Sequence, residues 1–180
     1  MRPCRLLRAW VDLRVWLVLL GAVGPVLPAA AQALSAAATP GWTGVVTHVV
    51  DGDTLYVRPL SGGAARNVRL LGMDAPEICQ EGGPAARDAL QTRVFQRRVQ
   101  VEGRGTDDYG RELGVIYLGQ EDVGQWMVQR GLAWSYRFRQ SPGPYAQSEH
   151  HARILARGIF AEPAPENPRD FRRRHGPCPR

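Results

Sequence analysis

The stretch Arg69-Leu-Leu-Gly-Met-Asp-Ala-Pro-Glu77 sets a guanidinium and two carboxylates close together along the chain. Apolar Val68, Leu70 and Leu71 mark a buried strand that carries Arg69, and Gly72 ends it. Pro76 fixes φ where the chain turns away, so Asp74 and Glu77 stand on a stiff mount at a strand end. A cation and two acids in such proximity suit a metal ion held beside an anionic substrate. The plain alternative is a strand that ends in a solvated acidic turn. The rest of the chain decides between them.

Asp51-Gly52-Asp53-Thr54 lies between two strand-like runs and, alone, is an ordinary hairpin turn. Its company changes the reading. Asp53 and Asp74 come from the ends of neighbouring strands. With the backbone carbonyl of Ala75 and waters, they make an all-oxygen site for a hard divalent cation, for which Ca²⁺ is the natural candidate. The four His residues show no ligand spacing, so a zinc site is not supported. A third motif, Thr106-Asp-Asp-Tyr-Gly-Arg111, precedes a later strand. Arg69 and Arg111 then bring two planar forks to one phosphate, whose oxygens gain negative charge when a phosphodiester is attacked. Glu77 is the carboxylate left to orient or deprotonate the attacking water.

The elements that must position these groups follow from pattern. Residues 44–50, 54–58 and 66–71 alternate or are β-branched and are separated by Asp51-Gly52-Asp53 and Ser61-Gly62-Gly63, which predicts a three-stranded meander. Pro84 opens a helix whose apolar stripe is Ala86, Leu90 and Val94, with Ala89 beside it. Residues 99–101 and 113–117 read as two further strands around the loop 105–111. Asp122 with Gln125 resembles a capping box and starts a helix that ends at Gly131. Pro144 starts a last helix, which stops at Gly158, and the Pro-rich, basic tail 162–180 is expected to be irregular. Five strands with an inserted helix and C-terminal helices predict an α+β, mainly β fold: a five-stranded OB-type barrel with about three packed helices. Trp42, Trp126 and Trp134 are expected in the core or at its edge rather than stacked on bases. No internal repeat is found.

Composition bounds the chain's setting. Residues 1–33 combine Arg2, Arg5, Arg8 and Arg14 with an apolar run from Val15 to Val23 and the small-residue stretch Ala29-Ala-Ala-Gln-Ala33. That is the grammar of a secretory signal peptide, cut after Ala33 or, alternatively, after Ala31. The apolar run is short for a transmembrane helix, which needs roughly 20 residues. The alternative is an uncleaved anchor. The expected layout is therefore a signal peptide over 1–33, a small-residue linker over 34–41, one domain over 42–161 and the tail. An exported protein is expected, periplasmic or secreted, with no stable membrane association after cleavage and monomeric. All 23 basic side chains counted as Lys or Arg are Arg, a bias that raises the value of position over number. Cys79 and Cys178 remain after removal of Cys4, and an even pair in an oxidising compartment reads as one disulfide. Two free thiols are the alternative.

The motifs together resemble the staphylococcal (thermonuclease) nuclease family. The matching pieces are Val50-Asp-Gly-Asp-Thr54, residues 68–77, Asp107-Asp-Tyr-Gly-Arg111 and Val128-Gln-Arg-Gly-Leu-Ala133, in family order and at family-like spacing. The resemblance runs from about Gly44 to Phe160. It implies an OB barrel and calcium-dependent hydrolysis of DNA and RNA to 3′-phosphate products. By that likeness Asp53, Asp74 and the carbonyl of Ala75 bind calcium, Arg69, Glu77 and Arg111 carry catalysis, and Tyr109 contacts the nucleotide. The sequence departs from the family in three places. Ala75 stands where members often have Thr, which a carbonyl ligand survives. The Lys-rich segment beyond the metal loop is replaced by the short Ile78–Gly83. Arg137 and Arg139 align with pocket tyrosines, with Tyr136 adjacent, so nucleotide binding there is expected to use Arg–phosphate contacts. Two other readings stand beside this one: a non-catalytic OB module that binds single strands, and a phosphodiesterase for small nucleotides.

Overall fold

Alternation of buried and exposed side chains builds a barrel from five strands, described over residues 41–179 of a computed structural model. The elements in chain order are β1 (Trp42–Val49), β2 (Thr54–Pro59), β3 (Arg66–Leu70), a short β4 (Met73–Asp74), helix α1 (Gly83–Val94), β5 (Arg98–Thr106), β6 (Glu112–Leu118) and β7 (Glu121–Asp122), of which β1, β2, β3, β5 and β6 form the barrel. Helix α2 (Val123–Gln129), β8 (Trp134–Ser135), α3 (Ala146–Ile154), a 3₁₀ turn (Gly158–Ala161) and α4 (Pro168–His175) follow. The meander β1–β2–β3 is antiparallel, β5 pairs with β1 and β6, and parallel pairing of β3 with β6 closes the ring. Register shifts in β1, between Val46 and His48, and in β5, between Gly103 and Gly105, bend the strands, as closure of a small barrel requires.

Val46, Leu55, Val57, Val68, Leu70, Val99, Val101 and Ile116 fill the barrel, and Ala86, Leu90 and Val94 of α1 with Met127 and Val128 of α2 cover it. Each fully buried aliphatic side chain of this kind is worth about 1.5–3 kcal/mol of transfer free energy. Trp134 is buried against Phe160 in a smaller cluster, while Trp42 and Trp126 pack on the main core at its edge. Arg66 lies over the Trp42 ring and Arg130 over Trp126, each 4.7 Å from the centroid.

The predicted OB barrel is therefore present, with corrections at its margins. Among the described residues there are four α-helices, not three. The helix expected from Pro144 begins at Ala146 and stops at Ile154, because Pro144 and Tyr145 form its entry turn. Asp122 caps α2 by accepting from the Gln125 N–H at 3.0 Å, but the Gln125 side chain turns to Ser148 instead of completing a box. The tail is not irregular throughout: Asn167 caps α4, Pro168 occupies its first turn and Gly176 ends it at φ 73°. Residues 1–33, read as a signal peptide, lie outside the described residues. No helix among the described residues is long and apolar enough to cross a membrane.

Candidate nuclease site

Strand register gathers the site. Arg69 of β3 stands opposite Thr54 of β2 on one side and Leu113 of β6 on the other. The Asp51–Asp53 turn, the end of β3 and the start of β6 thus meet at one rim of the barrel. The Leu70 N–H donates to the Asp53 carbonyl at 2.8 Å, which ties the turn to β3. Gly52 lets this turn approach the loop that carries Ala75: a Cβ there would stand 2.6 Å from Ala75 Cβ and 2.9 Å from Ala86 Cβ. Beyond it, β4 pairs with β8, Asp74 opposite Trp134, so the carboxylate sits on a second, two-stranded ribbon.

Arg69 Nη2 is 2.8 Å from Asp53 Oδ2 and 2.9 Å from Asp74 Oδ1. Both carboxylates therefore converge on one cationic nitrogen. Asp53 also accepts from Thr54 Oγ1 at 2.8 Å, and Thr54 Oγ1 lies 3.5 Å from Arg111 Nη1. Arg111 is aimed by Asp107, which accepts from its N–H at 2.9 Å and its Nε at 2.7 Å. Tyr109 packs beside Arg111 with its ring 84% exposed. Four of the residues expected in catalysis or metal binding, Asp53, Arg69, Asp74 and Arg111, thus form one connected network.

Glu77 joins through a residue that sequence reasoning did not assign to the centre. Arg172, from α4, places Nη1 at 2.6 Å from Glu77 Oε1 and at 3.2 Å from Asp74 Oδ1, with Nη2 at 3.0 Å from Asp74 Oδ2. Gln80 is buried behind this loop, accepting from the Glu77 N–H at 3.1 Å and donating to the Glu166 carbonyl at 2.7 Å. The expected Cys79–Cys178 disulfide is formed and ties the same loop to the tail. Gly83 completes the packing, since a Cβ there would fall 1.9 Å from the Glu77 carbonyl oxygen.

The remaining predicted contacts divide. Tyr136 and Arg137 line, with Ser135 and Asp74, one side of a cleft of about 350 Å³ whose other side is Asn167, Arg169, Asp170 and Arg173. Arg137 is also paired with the buried Glu149 at 3.2 Å. Arg139 does not line this cleft and instead sits over Phe138 on an exposed loop.

Electrostatics match a crowded acidic rim. Burial, and then the neighbouring Asp53 charge, push the Asp51 carboxyl up to about 7. Burial also raises Asp74, outweighing the Arg172 hydrogen bond that favours its charged form. Burial alone would lower Arg69, yet Asp53 and Asp74 hold it above the ordinary guanidinium value. Arg172 is raised likewise, its burial offset by Asp74 and Glu77. No cluster of three or more acidic, His or Cys side chains arranged for a metal is found among the described residues. Two converging carboxylates are nonetheless a suitable donor set for a hard cation, which takes its other oxygens from carbonyls and water. They fit.

A closed OB barrel with an Arg–carboxylate centre at its rim defines the class, and comparison with known proteins names the family. The profile described as "Staphylococcal nuclease homologue" matches residues 67–162, and the chain belongs to that family. It is 37% identical over 159 residues to Protein ParB of Escherichia coli, covering 81% of this chain and 89% of that protein. It is 35% identical over 164 residues to the Micrococcal nuclease of Shigella flexneri, covering 81% and 93%. An uncharacterized endonuclease of Haemophilus influenzae is 33% identical over 128 residues, covering 71% of each chain.

Proposed function

We propose that this protein is an exported, calcium-dependent nuclease that hydrolyses DNA and RNA to 3′-phosphate products. The nuclease activity itself rests on firm ground: the family match and the relatives named as micrococcal nuclease and endonuclease make the chain a phosphodiester hydrolase. The observation that carries the finer reading is the convergence of Asp53 and Asp74 on Arg69 Nη2. Asp53, Asp74 and the Ala75 carbonyl would hold the Ca²⁺, which when bound supplies positive charge to the phosphate. Arg69, from β3, and Arg111, from the turn just before β6, donate to the phosphate oxygens on which negative charge grows. Glu77 accepts a proton from the attacking water. Tyr109, Tyr136 and Arg137 contact the nucleotide, and the protein acts as a monomer. The basic, apolar and small-residue pattern of residues 1–33 supports export.

The test is digestion of plasmid DNA and of RNA by the purified protein, with calcium and with a chelator, and end analysis of the products. Cleavage of both substrates with calcium, its loss with chelator, and 3′-phosphate ends are expected. Undiminished cleavage in chelator would overturn the calcium assignment.

A further inference from the structure

Resting on that nuclease reading, we propose that Arg172 is a third working guanidinium of the site. It holds Asp74 and Glu77, competes for Asp74 with a divalent cation, and turns to the substrate phosphate when Asp74 is given over to that cation. The geometry is that of a cation's stand-in. Both oxygens of Asp74 receive a guanidinium nitrogen of Arg172, at 3.2 and 3.0 Å, and Glu77 receives the third bond at 2.6 Å. One side chain from the tail thus occupies a carboxylate assigned to the metal and the carboxylate assigned to water.

This contact is built rather than incidental. Asn167 and Pro168 start α4, and Gln80 holds the Glu166 carbonyl just before it. The disulfide to Cys178 holds the chain just after it, on the loop that carries Glu77. Arg172 is therefore anchored on both flanks by residues 79 and 80, and only its side chain is free to move far.

Exclusion follows from charge and reach. A hard cation binds carboxylate oxygens at about 2.3–2.6 Å. A guanidinium fork on both Asp74 oxygens competes for the lone pairs such an ion needs, and the two positive charges repel. Released from Asp74, the tethered fork keeps Glu77 on one nitrogen and has its other N–H groups free for a phosphate in the adjoining cleft. A phosphate accepts two parallel N–H bonds as a carboxylate does. The cleft beside Asp74 already presents Arg137, Arg169 and Arg173. Arg172 thereby couples cation and substrate: it opposes the first in the absence of the second and favours the second once the first is bound.

Calorimetric titration of the disulfide-intact protein with Ca²⁺ tests the first half. A nucleoside 3′,5′-bisphosphate, titrated at saturating calcium, tests the second, since it carries phosphates but no diester to cleave. Arg172→Ala is expected to tighten calcium binding on the order of tenfold and to weaken bisphosphate binding by a similar factor, within the usual range of coupling. Arg172→Lys should fall between, keeping the charge but losing the fork. Arg174→Ala, which alters the same tail but pairs outward with Glu166, should change neither affinity. Unchanged calcium affinity in Arg172→Ala, or an equal gain in Arg174→Ala, overturns the proposal, as does unchanged or tighter bisphosphate binding. If neither wild type nor Arg172→Ala binds calcium at all, the calcium assignment fails and takes this proposal with it. Equal binding by the two overturns this proposal alone.

Discussion

Asp107 grips Arg111 at two points, accepting from its backbone N–H at 2.9 Å and from its guanidinium Nε at 2.7 Å. The same carboxylate accepts from the Tyr109 N–H at 3.0 Å, so one side chain shapes the whole turn that ends in the proposed catalytic arginine. Asp107→Ala is expected to lower kcat on the order of 10²-fold, the scale of misplacing a positioned group by about an ångström. Calcium affinity should stay near wild type, because Asp107 is not among the proposed ligands. A matching loss of calcium binding would count against a purely positioning role.

The pH behaviour of this turn has a definite sign. Slight burial pushes the Asp107 carboxyl up, but the Arg111 and Tyr109 hydrogen bonds and the Arg111 charge outweigh it and hold it below its ordinary 3.8. A carboxyl depressed on folding contributes order that is complete above the ordinary value and is lost as pH falls through the depressed one. NMR of the Arg111 Nε–H should show the contact intact at pH 5 and released only below about 3.8. Release well above that value would contradict the depressed titration.

Much of this arrangement was legible in the sequence, and the misses have physical causes. Strand alternation and the Asp51–Thr54, Arg69–Glu77 and Asp107–Arg111 motifs are local signals, and the barrel brings their residues together. Parallel closure of β3 on β6 is a long-range pairing with no local signature. Helix α4 was readable but unread: Asn167, Pro168 and Gly176 are a cap, a first-turn proline and a stop. Its basic run lacks an apolar stripe, and its contacts lie on Asp74, Glu77 and Cys79, far along the chain. Gln80 and Glu149 were missed because a buried polar residue looks, in one sequence, like an exposed one.

Glu149 supplies the next test. It is 3% exposed and accepts from the Ser135 N–H at 2.8 Å, while Arg137 and Arg153 pair with it. Ser135 belongs to β8, the strand that pairs with Met73 and Asp74. Glu149→Ala leaves a buried N–H without its acceptor, at a cost of about 1–3 kcal/mol. Urea denaturation should show that loss, and Glu149→Gln, which keeps an acceptor, should lose less. Equal stability of Glu149→Ala and wild type would remove Glu149 from this supporting role.

The Cys79–Cys178 bond closes a loop with a sequence separation of 99 residues. By the chain-entropy model such closure contributes roughly 4.7 kcal/mol. The double variant Cys79→Ser with Cys178→Ser should therefore unfold at a clearly lower temperature in scanning calorimetry. Intact-mass analysis of the unreduced wild type should find no alkylatable thiol on either residue. Two alkylated cysteines in the native protein would contradict the bond.

The final prediction separates the two acids that Arg172 bridges. Asp74 shares Arg69 with Asp53, and both are proposed ligands of the cation. Glu77 instead meets the centre through Arg172. Asp74→Ala should therefore weaken calcium binding, with activity partly restored by excess Ca²⁺. Glu77→Gln preserves size, an acceptor oxygen for Arg172 and the Gln80 contact to its backbone N–H, so calcium affinity should change little. A general base commonly contributes roughly 10²–10⁴-fold, so turnover should fall within that span. Arg111→Lys should be comparably severe, because an ammonium cannot reproduce the fork that Asp107 aims. Calcium calorimetry beside initial rates on DNA distinguishes the three. Full turnover in Glu77→Gln would move the task of handling water to another residue, and Asp51, half-buried beside Asp53, would be the next carboxylate to substitute.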